Sequence, residues 1–193
     1  NPRFLRPEVI DRINNIQSGS LYNNFTVERV QRQLSQVKLF RQSSIVFVET
    51  QKPDSTQQGE IDCNIQITPV EKQSMGLELE GITSGGDWGA EFTLNYEHRN
   101  IFRGAEKLSL GTHVMLGHNR ALRGEDGKRF ALNTYELGFE AELEIPNFVS
   151  PIKPERLAGR YMPSTIVRTA YNISHTADYI HPTFQISFGY RWS

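Results

Sequence analysis

Residues 90–117 read AEFTLNYEHRNIFRGAEKLSLGTHVMLG, and this stretch predicts two long strands joined by one turn. Ala90, Phe92, Leu94 and Tyr96 share one face of the first strand, and a second alternating apolar set begins at Leu108. A period of two indicates a strand, because successive side chains point to opposite faces of a sheet. Each run is about ten residues long, close to the ~9–11 residues that cross a bilayer when tilted.

Composition limits the classes of protein to which the chain can belong. It has 193 residues, enough for one domain or two small ones, and a formal net charge of -1. The near-neutral charge disfavours nucleic acid as a partner. The mean hydropathy is -0.49, and no apolar run is long enough for a membrane-spanning helix, whereas a spanning β-barrel conceals its apolar residues in alternation. The lone Cys63 has no partner for an internal disulfide.

The same alternation recurs through residues 71–193 and predicts about six strands. A first strand covers Leu77 to Thr83, and the clearest one covers Thr134 to Ile145. The predicted apolar faces of the other strands consist of Leu110, Thr112, Val114 and Leu116, of Val167, Thr169, Tyr171 and Ile173, and of Phe184, Ile186, Phe188, Tyr190 and Trp192. The residues between them are mostly polar, so each strand has one apolar and one largely polar face, although the pattern is less clean in the strand from Thr165 to Ser174.

Alternation alone is also typical of a soluble antiparallel β-sandwich. Three features favour an outer-membrane barrel instead: the strands are long, short and long turns alternate, and aromatic residues recur near strand ends. Those aromatic residues are Tyr96, Tyr135, Phe148, Tyr190 and Trp192. Because about six strands cannot enclose a polar lumen, we expect an incomplete barrel, the N-terminal strands of a larger one.

Residues 1–70 predict a small α+β module. Pro7 starts a helix with an apolar stripe that stops at Ser18-Gly19, and either Asn24 or Thr26 caps a second helix. The stripes are Val9, Ile10, Ile13 and Ile16 in the first helix and Val27, Val30, Leu34 and Val37 in the second. A hairpin follows, with one strand at Ile45 to Val48 and its return at Ile61 to Thr68. A lone hairpin is marginally stable, so we expect a further strand before Asn1 to complete the sheet.

The sequence of this module resembles that of a POTRA domain, the periplasmic polypeptide-transport module of outer-membrane assembly proteins. The resemblance lies in Phe4 to Pro7, Gly19 to Tyr22, Val27 to Leu34 and Leu39-Phe40. A POTRA domain has the order strand, two helices, two strands. The resemblance therefore implies a POTRA domain over residues 1–70 whose first strand is missing, followed by barrel strands over 71–193.

The second half of the chain resembles the opening of the barrel in the BamA and TamA superfamily. Gly86-Asp87-Trp88-Gly89 leads to Tyr96 and then to the turn at Asn100, Phe102, Arg103, Gly104 and Glu106. In that superfamily an Arg/Asn-Leu-Phe-Gly-type turn and a Gly-Glu pair join the second and third barrel strands. The resemblance covers essentially the whole chain, and the sequence is most similar to the TamA-like branch of the Bacteroidota.

The resemblance implies a function without covalent chemistry. Members of the superfamily insert other β-barrel proteins into the Gram-negative outer membrane or move polypeptides across it, with the POTRA domain in the periplasm. The implied partners are client outer-membrane proteins or translocated polypeptides, outer-membrane lipid and periplasmic accessory proteins. A weakly paired first strand offers free backbone groups that template an incoming strand.

Two sets of site residues follow from this resemblance. The first is the gate, or first barrel strand, formed by Gly76, Leu77, Glu78, Leu79, Glu80, Gly81, Ile82 and Thr83. Gly76 and Gly81 would weaken strand pairing there, although glycines in strands also relieve crowding or form bulges. The second set is the POTRA hairpin edge, represented by Ile45, Phe47, Ile61, Cys63, Ile65 and Ile67.

Enzyme functions find little support in the sequence. The five histidines have no metal-ligand spacing with Cys or carboxylates, and no nucleophile elbow, phosphate loop or dinucleotide fingerprint occurs. We therefore expect no catalytic residues, no metal and no cofactor. Two other functions remain open: a passive outer-membrane channel or structural barrel with a periplasmic docking domain, and a soluble β-sandwich binding protein.

Overall fold

The chain divides into two compact units in the computed structural model. The first comprises Asn1–Lys72 with Phe102–Ala105, and the second comprises Gln73–Ile101 with Glu106–Ser193. The structure describes residues 4–51, 59–84, 87–118, 132–146, 164–176 and 179–191. The predicted aromatic positions Phe148 and Trp192, and the glycines of the predicted turn at 85–86, lie outside these ranges.

The first unit contains two helices and a two-stranded antiparallel sheet. Helices α1 (Pro7–Ile13) and α2 (Asn24–Gln36) precede strands β1 (Phe40–Gln51) and β2 (Glu60–Pro69). Most of the helical stripe predicted from the sequence forms the core, where Val30 is 0% exposed and Leu34 is 3% exposed. Burial of such side chains is the main stabilising term for a domain of this size. Two predicted members of the first stripe do not belong to the core: Ile10 is 36% exposed, and Ile16 lies beyond the end of α1.

The ends of both helices differ from the sequence prediction. Helix α1 ends at Ile13, well before Ser18-Gly19, because Asn14 is extended and its Oδ1 accepts the N–H of Ile16 at 3.1 Å. An Asn side chain competes in this way with the helical hydrogen-bond pattern. Helix α2 is capped by Asn23, whose side chain accepts the N–H of Phe25, so the predicted caps at Asn24 and Thr26 were wrong.

The second unit is a single six-stranded antiparallel sheet. Its strands are β3 (Gln73–Ser84), β4 (Asp87–Arg99), β5 (Lys107–His118), β6 (Thr134–Ile145), β7 (Ser164–Thr176) and β8 (Tyr179–Arg191). Their order in space follows their order in the chain, and each pairs with the next. A sandwich needs two facing sheets, whereas all six described strands belong to one. The chain is therefore a mainly antiparallel β protein with few helices.

The register joins the alternating patterns of all six strands on common faces. Leu77 lies opposite Leu94, and the same row continues through Thr112, Phe139, Tyr171 and Phe184. Residues directly opposite each other in an antiparallel pair point to the same side of the sheet. The predicted apolar sets of the described strands thus share one face, and this prediction is confirmed.

Candidate functional site

The apolar face of the six-stranded sheet is exposed. Leu79 is 76% exposed, Phe184 68% and Ile186 70%, although each lies in a row of apolar neighbours. By contrast, every buried apolar side chain of the described residues lies in the first unit, and the buried residues of the second unit include Glu144 and Thr165. Contiguous exposed apolar surface of this extent is unusual for a soluble monomer and marks contact with a partner or a membrane.

The opposite face, here called the polar face, carries charged side chains that pair across strands. Arg168 on β7 contacts two glutamates of β6: its Nε lies 3.1 Å from Glu140 Oε1, and it also pairs with Glu142. At the same end of the sheet, Lys107 Nζ lies 2.7 Å from Glu97 Oε2, and Arg191 Nη1 lies 3.3 Å from Glu144 Oε2. Charge on this face is stable only where water or a counter-charge reaches it.

Glutamates outnumber basic residues on the described part of the polar face. The acidic residues there are Asp87, Glu78, Glu80, Glu91, Glu97, Glu136, Glu140, Glu142 and Glu144, and the basic ones are Arg99, Lys107, Arg168 and Arg191. Glu80 and Glu91 lie directly opposite each other on neighbouring strands. Since like charges in that arrangement repel, this face requires a solvated environment.

The height of the apolar face matches a membrane. On β6 it runs from Tyr135 to Ile145, about 33 Å along the strand, or roughly 25 Å at the tilt typical of barrels. Two ring pairs stand at one end of this face: Tyr135 stacks on His175 with centroids 4.5 Å apart, and Trp88 lies 6.0 Å from His118. Amphipathic rings of this kind favour a membrane–water interface. The strand register places His118 directly opposite Trp88 and His175 directly opposite Tyr135, although the members of each pair are far apart in the sequence.

The predicted gate residues, Gly76 to Thr83, all lie in β3 at one edge of the sheet. Strand β3 pairs with β4 in continuous register, and no other described strand pairs with it. A β-carbon added to Gly81 would meet nothing within 4 Å, and one on Gly76 would meet only Asn95 Cβ at 3.9 Å. Neither glycine therefore relieves crowding or forms a bulge, and among the described residues β3 has β4 as its pairing strand.

The six predicted hairpin residues of the first unit lie together on one face of the β1–β2 pair. Ile45 lies opposite Ile65 and Phe47 opposite Cys63, while Ile61 and Ile67 extend the same face. A groove of about 580 Å³ runs over this face beneath the connection between α1 and α2. Tyr22 closes one side of it through an edge contact with Phe47, with ring centroids 5.1 Å apart. Burial in this environment raises the pKa of the Cys63 thiol.

The turn predicted from the resemblance to the BamA and TamA superfamily is a tight, strained loop between β4 and β5. The N–H of Asn100 donates to the carbonyl oxygen of Glu106 at 2.6 Å, and both residues are buried. Asn100, Arg103 and Ala105 have positive φ angles of 77°, 65° and 64°. Within the first unit, the N–H of Arg6 donates to the carbonyl oxygen of Arg103 at 2.8 Å. The positive φ angles thus fall on the residues on either side of Gly104 and on Asn100, while Phe102 is exposed.

Two other features, a membrane-spanning helix and a metal site, are absent from the described residues. None of the helices there has the length and apolar character needed to cross a membrane. No group of three or more His, Cys, Asp or Glu side chains in the described ranges is placed to hold a metal ion. No family model matches the sequence, and comparison with curated proteins gives no match. The functional assignment therefore depends on the sheet itself and on the sequence resemblance.

Proposed function

We propose that this chain is part of a Gram-negative outer-membrane assembly or translocation factor of the BamA and TamA type. In this proposal the first unit is a POTRA domain in the periplasm, and the six-stranded sheet is part of the wall of a membrane β-barrel. The protein acts on client outer-membrane proteins or translocated polypeptides without covalent chemistry. Outer-membrane lipid and periplasmic accessory proteins are its other partners.

One observation carries the membrane part of the proposal: the second unit exposes its apolar side chains instead of burying them. Its apolar side chains are exposed across six strands, whereas its charged side chains pair on the other face. A membrane barrel has this arrangement because lipid solvates its outside and water fills its inside. A soluble sheet would cover its apolar face with a second layer.

The open edge of β3 supports the assembly part of the proposal. An edge strand presents a row of unpaired N–H and C=O groups, which an incoming strand can satisfy. Every described residue from Gln73 to Thr83 is exposed, so no described side chain covers this edge. The β1–β2 hairpin of the first unit provides a second surface for the same kind of backbone pairing. The family resemblance supports this role for both edges.

Site-specific photo-crosslinking of the full-length protein in outer membranes tests the proposal. A photoreactive residue at Glu78 lies on the edge strand, and one at His113 lies in the same row of the polar face on interior strand β5. We expect client barrel proteins to be captured at Glu78 and not at His113. Equal capture at both positions, or none at Glu78 in a membrane-embedded protein, would contradict the assembly function.

A passive channel is the second candidate, and the charged polar face favours it. Side chains such as Glu91 and Glu136 would line a water-filled passage and attract cations. Planar-bilayer conductance distinguishes the two functions. A large, steady, cation-selective conductance without client capture at Glu78 would favour the channel.

A further inference from the structure

A groove lies in the middle of the apolar face of the six-stranded sheet. Its floor is formed by the small side chains of Thr112 on β5, Ala141 on β6 and Thr169 on β7, and its walls include the rings of Tyr96, Phe139 and Tyr171. Ala141 and Thr169 lie directly opposite each other, and Thr112 is diagonal to Ala141. The cavity has a volume of about 430 Å³. The band of bulky side chains is therefore interrupted at these three positions.

The floor of the groove has few free hydrogen-bonding groups for the backbone of a polypeptide. Strands β5, β6 and β7 are each paired on both sides, so their backbone groups are engaged in the sheet. The Thr112 hydroxyl donates to the carbonyl oxygen of Gly138 at 3.0 Å, which leaves the Thr169 hydroxyl as the polar group of the floor. An extended segment laid there would leave its own N–H and C=O groups unsatisfied. A hydrocarbon chain has no such groups.

The position of the groove also fits a hydrocarbon chain. Thr112 lies near the middle of β5, which runs from Lys107 to His118. The aromatic–histidine pairs lie at one end of the strands, and the nearby charged residues, such as Glu140, belong to the polar face. In a bilayer the groove would therefore lie at the depth of the acyl chains, away from the headgroups.

We propose that this groove binds an acyl chain of a membrane lipid at a fixed place on the sheet. The inference rests on the proposed function, because it requires the apolar face to lie in a bilayer. Aromatic walls and a small-residue floor give a chain more contact than the surrounding surface does. A lipid in the groove would exchange more slowly than its neighbours, and it would be held beside β5–β7 rather than at the open edge of β3.

Photolabelling of the full-length protein in phosphatidylethanolamine vesicles tests the proposal. The vesicles contain a trace of phosphatidylethanolamine with a diazirine in one acyl chain, and labelled peptides are mapped by mass spectrometry. Ala141→Leu fills the floor, and Thr169→Leu is a second filling variant in case the first folds poorly. Ala90→Leu is the matched control, because Ala90 lies on the same apolar face outside the groove.

We expect labelling to concentrate on the peptides that contain Phe139 and Tyr171. Filling the groove should lower it about tenfold, equivalent to about 1.4 kcal/mol of lost lipid binding, while Ala90→Leu leaves it unchanged. Even labelling of all six strands overturns the lipid site and leaves the membrane location intact. Absence of labelling from every strand overturns the membrane location and the lipid site together.

Discussion

The imidazole ring of His113 on β5 occupies the space where Gly138 on β6 lacks a side chain. The two residues lie directly opposite each other, and a β-carbon built on Gly138 would lie 2.0 Å from Cε1 of His113. From this position His113 Nε2 lies 3.5 Å from Oε1 of Glu136, which also accepts the Asn172 amide at 2.7 Å. The glycine therefore accommodates a ring that helps to organise the polar face.

Replacing Gly138 with alanine should displace the His113 ring and lose its contact with Glu136. We expect a loss of about 1–3 kcal/mol in the free energy of unfolding, measured by urea titration of the folded protein. Gly189→Ala is the matched control, since a β-carbon there meets nothing within 4 Å. The double variant with His113→Ala should recover most of the loss. Equal effects of the two glycine substitutions would show that the ring does not depend on Gly138.

A charge should be tolerated on one side of β8 and not on the other. Phe184 lies on the apolar face, and the adjacent Gln185 lies on the polar face. With the apolar face in a bilayer, as proposed above, Phe184→Arg should cost about 2–4 kcal/mol of folding free energy, whereas Gln185→Arg should change it little. The fraction of protein that folds into vesicles, read from heat-modifiable migration, measures both. If the two variants fold equally well, the apolar face does not meet lipid.

The strain at Ala105 should be relieved by glycine. Its φ of 64° is unfavourable for a residue with a β-carbon. We expect Ala105→Gly to stabilise the protein by about 0.5–1 kcal/mol after the entropy of the unfolded chain is included. Ala90→Gly, within β4, should destabilise it by a similar amount, about 0.5–1 kcal/mol. A shift of both urea midpoints in the same direction would argue against strain in this turn.

The cap of α2 should respond to substitution of Asn23 and not of Thr26. Asn23 Oδ1 accepts the Phe25 N–H at 2.9 Å. Asn23→Ala should lower helix stability by about 0.5–2 kcal/mol. Hydrogen exchange at the Phe25 amide reports the change locally, because that N–H loses its acceptor. Faster exchange in Thr26→Ala than in Asn23→Ala would restore the cap expected from the sequence alone.

Strand alternation and the helical stripe were predictable because each depends on neighbours close in the chain. Leu137, Phe139 and Ala141 share a face for the same local reason that Val30 and Leu34 share a helical stripe. The predicted apolar faces of all six described strands are correct. Helix ends were less accurate, because Asn14 and Asn23 each make a side-chain bond that competes with other local choices.

The sequence by itself determined where the strands lie and which of their faces is apolar. It placed some strand ends wrongly, because β3 begins at Gln73 rather than Leu77 and β1 covers Phe40–Gln51 rather than Ile45 to Val48. Only the tertiary structure decided the pairing of distant residues, because a shift in register would change every neighbour without changing the pattern along any strand. That pairing places His113 on Gly138, brings Arg168 to Glu140 and Glu142, and collects Thr112, Ala141 and Thr169 in one groove. It also leaves the apolar rows exposed as one continuous face, which alternation within single strands does not specify.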